Sequence, residues 1–283
     1  MAENNIVWKK TQGIVLRLFL LLSALTVLLP LLWVLNSSLK TNAEFFADPW
    51  SLPASPQWIN YYNAWFSSKF YLYFMNSFLV VAGALVLVLL MASTSAFALS
   101  RFRFMGSKIM GFVYTAGMMI PSILLLVPLF FQAQALHMTN SLTGIIIIYA
   151  VLQVPFTLFL LSGFFKAIPH SLMEASVLDG ASYYQMFIRV ALPLVKPGIV
   201  IAAIVNVINF WNEYPIAITF ISEEEKFTIP IGISFLSTAM QYRTDYGALF
   251  AGLTIAMLPV LVLYGFFQKQ LQDGMSMGSG VKG

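Results

Sequence analysis

The chain has 283 residues, 59% of them hydrophobic and 9% charged, where soluble globular domains carry about a quarter charged. That composition excludes an ordinary soluble fold and points to an all-α integral membrane protein. The absence of cysteine excludes a disulfide framework, cysteine-based zinc sites and thiol catalysis. The net charge of +4 is not a nucleic-acid footprint, because the basic residues sit at the ends of apolar runs.

A spanning helix needs about twenty mostly apolar residues. Six stretches supply them, at 14–35, 77–99, 109–131, 144–164, 198–220 and 249–267, within a single transmembrane domain over 1–283. The first run is long enough to span and lacks a clear small-residue cleavage site, so it is expected to stay as an anchor. Between the first two runs lies "FFADPWSLPASPQWINYYNAW", with the aromatic density of a loop at the headgroup level. Lys9, Lys10, Arg17, Arg101, Arg103, Lys108, Lys166, Arg189, Lys196, Lys269 and Lys282 fall on one side of this arrangement, eleven of the fifteen basic residues. Lys40, Lys69, Lys226 and Arg243 fall on the other, with Glu44, Asp48, the run Glu223 to Glu225 and Asp245. By the positive-inside rule both termini, including the glycine-rich tail 268–283, are cytoplasmic.

Pro30, Pro121, Pro128, Pro155, Pro215 and Pro259 fall within the predicted spans. Each removes a backbone hydrogen bond that something else must satisfy, which favours helices that rock or gate over straight, rigid packing. In the fourth span, Gln153 and Thr157 lie one turn apart and either face a path or bond neighbouring helices.

From Lys166 to Gly198 runs the most polar interior segment, "KAIPHSLMEASVLDGASYYQMFIRVALPLVKPG". Ser171 and Glu174 have the spacing of a capping box, which predicts a helix start there. Asp179-Gly180 closes that helix, since glycine tolerates the left-handed closing conformation. Ser182 and Gln185 repeat the spacing for a second helix ending at Pro193 or just before it. The result is a cytoplasmic elbow over 166–197, too polar to cross a bilayer. The fifth span then concentrates Asn206, Asn209, Trp211, Asn212, Glu213 and Tyr214. A charged side chain at a helix centre costs roughly 2.5–3.5 kcal/mol on insertion scales, so this cluster is expected to face protein or water. At about 1.5 Å per residue from Gly198, Glu213 lies roughly 22 Å deep, in the outer half. The cluster either lines a cavity opening outward or bonds neighbouring helices. His137 falls in an outer loop and His170 in the elbow, so no shared metal or acid–base site is predicted.

Several motifs also carry a resemblance. Glu174-Ala175-Ser176, Asp179-Gly180-Ala181, Leu192-Pro193 and Pro197 resemble the "EAA" loop of permease subunits in binding-protein-dependent ABC importers, with Ser176 where alanine is usual. "NYYNAW" at Asn60 to Trp65, Asn76-Ser77, "FALSRFRFMG" at Phe97 to Gly106 and "WNEY" at Trp211 to Tyr214 resemble the carbohydrate-type, maltose-permease-like members. The resemblance implies a coupling helix that docks on an ATPase through Glu174, Ala175, Ser176, Asp179, Gly180, Ala181, Tyr183 and Phe187. It also implies a translocation path drawing on Asn206, Asn209, Asn212, Glu213, Tyr214 and Gln153. The implied partners are a second, different permease chain, two ABC ATPases that use ATP and Mg, and an extracytoplasmic solute-binding protein. The implied location is a bacterial or archaeal cell membrane.

No G-x-x-x-x-G-K-[ST] phosphate cradle is present, so the chain is expected to bind no nucleotide or other cofactor and to catalyse nothing itself. A membrane-embedded enzyme would need a constellation at one depth, and neither H-E-x-x-H nor any cysteine is present. The closer alternative is a proton-coupled carrier with Glu213 as its proton site, which leaves the elbow unexplained.

Overall fold

The computed structural model describes residues 2–239 and 245–279, with side chains over 13–238 and 245–270. Arg243, Lys282 and the last four residues of the tail lie outside the described residues. Among the described residues every regular element is helical, in the order α1 (Ala2–Ser38), α2 (Asn42–Ala47), α3 (Phe70–Arg101), α4 (Ser107–Met119), α5 (Leu126–Ala135) and α6 (Leu142–Ala167). Then follow α7 (His170–Leu178), α8 (Tyr183–Leu194), α9 (Lys196–Trp211), α10 (Pro215–Phe220), α11 (Ile229–Ala239) and α12 (Tyr246–Ser279).

Among the described residues four helical segments are long and apolar enough to cross a membrane: Gly13–Ser38, Phe70–Arg101, Leu142–Ala167 and Tyr246–Gln270. The third and fifth predicted spans are not single helices. In place of one helix over 109–131, Ser107–Met119 and Ser122–Ala135 meet at a 96° bend. Ile120 is extended (φ −84°, ψ 118°), the conformation that a following proline, here Pro121, imposes. In place of one helix over 198–220, α9 stops at Trp211 and α10 restarts at Pro215. By contrast Pro30, Pro155 and Pro259 sit inside unbroken helices. Pro128 falls in the first turn of α5, where the missing N–H costs nothing. Of these six prolines, Pro121 and Pro215 stand at helix breaks.

The chain divides into two compact units, Met1–Phe70 with Phe235–Met257 and Tyr71–Ser234 with Leu258–Gly283. In the first, the aromatic loop is folded. Thr41 and Glu44 form a reciprocal capping box at the start of α2. The amides of Thr41 and Ala54 hold the Glu44 carboxyl below its ordinary range. Lys40 is fully buried, its Nζ donating to the Asp48 carbonyl at 2.8 Å and to Ser51 Oγ at 3.2 Å, so its charge is paired with dipoles instead of being left bare. Asn60 Nδ2 bonds the carbonyls of Ser38 and Lys40, each at 2.9 Å.

In the second unit, α3, α6 and the elbow share one core. Ala92, Ala96, Phe97, Leu161 and Phe165 meet Met173, Met186, Ala191 and Val195 from the elbow. Gly198 is required where α9 passes α6, because a Cβ there would stand 2.5 Å from the Phe164 ring.

Candidate functional site

Two places hold the residues singled out by sequence: the break between α9 and α10, and the elbow. At the break, the helix ladder ends and the first amides of α10 lack intrahelical acceptors. Pro215 fills the first helical position, where no N–H is needed. Glu213 supplies the missing acceptors: Oε1 takes the Ile216 amide at 2.7 Å and Oε2 the Ala217 amide at 3.0 Å. Oε2 also accepts the Tyr149 hydroxyl at 2.6 Å. Tyr149, only 3% exposed, stacks on Phe210 with centroids 5.6 Å apart and planes 13° off parallel.

Beside this break opens a cavity of about 250 Å³, lined by Ser122, Tyr149, Gln153, Asn209, Phe210 and Glu213 among others. Three of the six path residues, Gln153, Asn209 and Glu213, are thus brought together. The other three are not on its wall. Asn206 is fully buried and donates to Thr157 Oγ1 at 2.9 Å and to the Ala202 carbonyl at 2.8 Å, tying α9 to α6. Asn212 is exposed and its Nδ2 bonds the Ile208 carbonyl at 2.8 Å. The Tyr214 hydroxyl pairs with Ser234 Oγ at 2.9 Å. Sequence reasoning missed Tyr149 and Ser122. Tyr149 stands one turn before Gln153 on the same helix face, and the acid-x-Pro order of Glu213 and Pro215 was a readable helix-start signal.

The Asn206–Thr157 pair leads to a prediction. Thr157→Val removes one of the two acceptors of a buried amide, which costs about 1–3 kcal/mol. The purified protein should melt at lower temperature while the apparent KM for solute stays unchanged.

In the elbow, the expected Ser171–Glu174 capping box does not form. Pro169 is the cap residue of α7, its backbone already extended (φ −58°, ψ 138°), with no side-chain hydrogen bond. That starts the helix at His170 and leaves Ser171 two positions past the cap. The second box does form: the Gln185 amide donates to Ser182 Oγ at 3.3 Å and the Ser182 amide to Gln185 Oε1 at 2.9 Å. Gly180 closes α7 at φ +77°. The second helix runs one residue past Pro193 to Leu194. A π-turn over Met186–Ala191 places that proline in the first turn of a new α segment, where it is tolerated.

Glu174, Ala175, Asp179, Gly180 and Tyr183 are exposed, whereas Ser176 is buried and bonds the Met173 carbonyl at 2.7 Å. Ala181 is half-buried. Phe187 turns inward, 5.2 Å from Phe97 and 6.4 Å from Phe165. Arg101 at the end of α3 donates to the carbonyls of Phe165 and Ile168, neutralising the open end of α6. The outer face carries a bare apolar patch, with Leu178 88%, Tyr184 72% and Tyr183 70% exposed.

Residues 89–277 match the family of the binding-protein-dependent transport system inner membrane component. The chain belongs to that family. As such an inner membrane component it is a multi-pass membrane protein, and its relatives are transport permeases. It is 37% identical over 260 residues to the diacetylchitobiose uptake system permease protein NgcG of Streptomyces coelicolor, covering 92% of this chain and 86% of that one. It is 37% identical over 265 residues to the probable ABC transporter permease protein YurM of Bacillus subtilis, covering 94% and 87%. Its fold is that of a chain in the crystal structure of a bacterial ABC transporter involved in the import of the acidic polysaccharide alginate. The TM-score is 0.81 at 24% identity, over 92% of this chain and 96% of that one. Among the described residues of this inner membrane component, no cluster of three or more His, Cys, Asp or Glu could hold a metal ion.

Proposed function

We propose that this chain is one of two membrane-spanning subunits of an ATP-driven sugar importer. The observation that carries the reading is the elbow. Its inner face is locked into the core through Met173, Met186 and Ala191, while its outer face leaves Leu178, Tyr183 and Tyr184 bare. A rigid apolar knob beyond the apolar spans fits a cleft on a partner ATPase, and basic residues clustered on that side make it cytoplasmic. Closure of two ATPases around ATP and Mg then pulls the elbows and switches the spans between inward-facing and outward-facing states. An external binding protein delivers solute. The chain supplies half of the path, with Gln153, Asn209 and Glu213 on its wall and Asn212 and Tyr214 beside it. A second, different permease supplies the other half. The 37% identity to a diacetylchitobiose permease supports sugar as the cargo.

The test is extraction of the tagged chain from its native membrane, with identification of the co-purifying proteins. An ATPase assay on the product then compares candidate sugars with and without a binding protein. Recovery of a second permease and an ATPase, with hydrolysis stimulated by one loaded binding protein, is the expected result. A chain that purifies alone and without nucleotide hydrolysis would overturn the reading. The proton-coupled alternative is disfavoured because both Glu213 oxygens are committed to helix capping and to Tyr149.

A further inference from the structure

We infer that the cavity beside the helix break is a subsite for one uncharged sugar ring, and that it rejects acidic sugars. This rests on the importer reading above and adds the contacts, size and charge of what this chain accepts.

Ser122, Gln153 and Asn209 come from three separate elements: the 3₁₀ turn Ser122–Leu125, α6 and α9. All three reach the cavity, and among the described residues none of their side chains has a protein hydrogen-bond partner. Polar groups within apolar spans need partners. Each amide offers donor and acceptor together, as does the serine hydroxyl. A ring of hydroxyls, each also donor and acceptor, meets that demand.

The remaining wall is apolar, from Leu152, Phe210 and Ile216, matching the C–H face of a pyranose. The volume of about 250 Å³ lies just under the range of roughly 300–1,000 Å³ that holds drug-sized ligands. It admits a single ring at a time, not a folded oligosaccharide.

Among the described residues, the only ionisable groups on the wall are the Glu213 carboxylate and the Tyr149 phenol that donates to it. None of the described lining residues is Lys, Arg or His, and a carboxylate brought near another is disfavoured. Glu213 acts here as a positioning residue, with its oxygens spent on α10 and Tyr149. Ser122, Gln153 and Asn209 make the contacts.

The assembled complex in nanodiscs, without binding protein, tests this by saturation-transfer NMR. The probes are methyl β-glucopyranoside, methyl N-acetyl-β-glucosaminide and glucuronate at equal concentration. Transfer to the two neutral probes and at least fivefold less to glucuronate is expected. Asn209→Ala, at an exposed position, and Gln153→Ala should each cut the neutral signal severalfold, with assembly checked by gel filtration. Gln153→Lys, which sets an ammonium beside the carboxylate, should raise glucuronate to the level of the neutral probes. Equal signals for neutral and acidic probes in the wild type would overturn the charge assignment. Neutral signals that survive both alanine variants would place the sugar on the partner chain and overturn the subsite. The ATPase activity of the same wild-type sample, measured after a loaded binding protein is added, reports separately on the importer reading: if it is absent that reading fails, and if it is present without sugar contact only the subsite fails.

Discussion

Gly180→Pro is expected to abolish solute uptake while leaving the chain at normal abundance in the membrane. Gly180 sits at φ +77°, and proline is fixed near −65°, so the closing turn of α7 cannot form. Its amide also donates to the Val177 carbonyl at 3.0 Å, a bond that proline deletes. A Cβ at this position would meet nothing within 4 Å, so Gly180→Ala carries only the backbone cost of a left-handed L-residue, about 1–2 kcal/mol. Alanine should therefore reduce uptake partially and proline completely. Because the turn itself is exposed while the core contacts of the elbow come from Met173, Met186 and Ala191, the defect should appear in ATP-driven uptake and in ATPase stimulation by a loaded binding protein. Glu174→Lys probes the same surface differently. Glu174 is exposed and caps nothing, so reversing its charge should weaken docking without lowering the melting temperature. Normal uptake in both Gly180→Pro and Glu174→Lys would sink the coupling role of the elbow.

The all-helical membrane class, the two-helix elbow and the family were legible because they rest on long-range composition and on short local signals. Ser182 with Gln185 and the left-handed Gly180 formed as read, since a cap or a turn is decided within a few residues. The Ser171–Glu174 box failed for an equally local reason: Pro169 took the cap position first. The breaks in the third and fifth spans were harder. Hydropathy scores them as continuous apolar runs, and proline alone does not separate Pro155, inside an unbroken helix, from Pro121 and Pro215 at breaks. What separates Pro215 is the Glu213 carboxylate, which accepts the freed amides of Ile216 and Ala217 and is itself held by the Tyr149 hydroxyl from another helix. The same limit applies to the path residues. A polar side chain in a span faces a cavity or a neighbouring helix, and only packing sent Asn206 to Thr157 and Asn209 to the cavity wall.

Glu213→Ala should produce the second large effect, a loss of uptake exceeding tenfold together with a lower melting temperature. The substitution leaves the Ile216 and Ala217 amides and the Tyr149 hydroxyl without acceptors, each costing about 1–3 kcal/mol when buried. Tyr149→Phe is the graded counterpart. It keeps the stack on Phe210 and deletes one hydrogen bond to a charged group, worth about 1.5–3 kcal/mol. Its effect should be smaller than that of alanine at 213. Glu213→Gln separates positioning from proton transfer. Its carbonyl oxygen can still accept an amide of α10, but its NH₂ faces donors, so stability should fall between wild type and Glu213→Ala. If Glu213 positions the half-helix, residual uptake by Glu213→Gln will remain ATP-dependent and will not change when the pH gradient is collapsed. If Glu213 carries the proton, collapsing the gradient will stop uphill uptake in the wild type and Glu213→Gln will abolish it at full stability. The three hydrogen bonds held by this one carboxylate favour the first outcome, because protonating it in each cycle would turn one acceptor into a donor and loosen the start of α10.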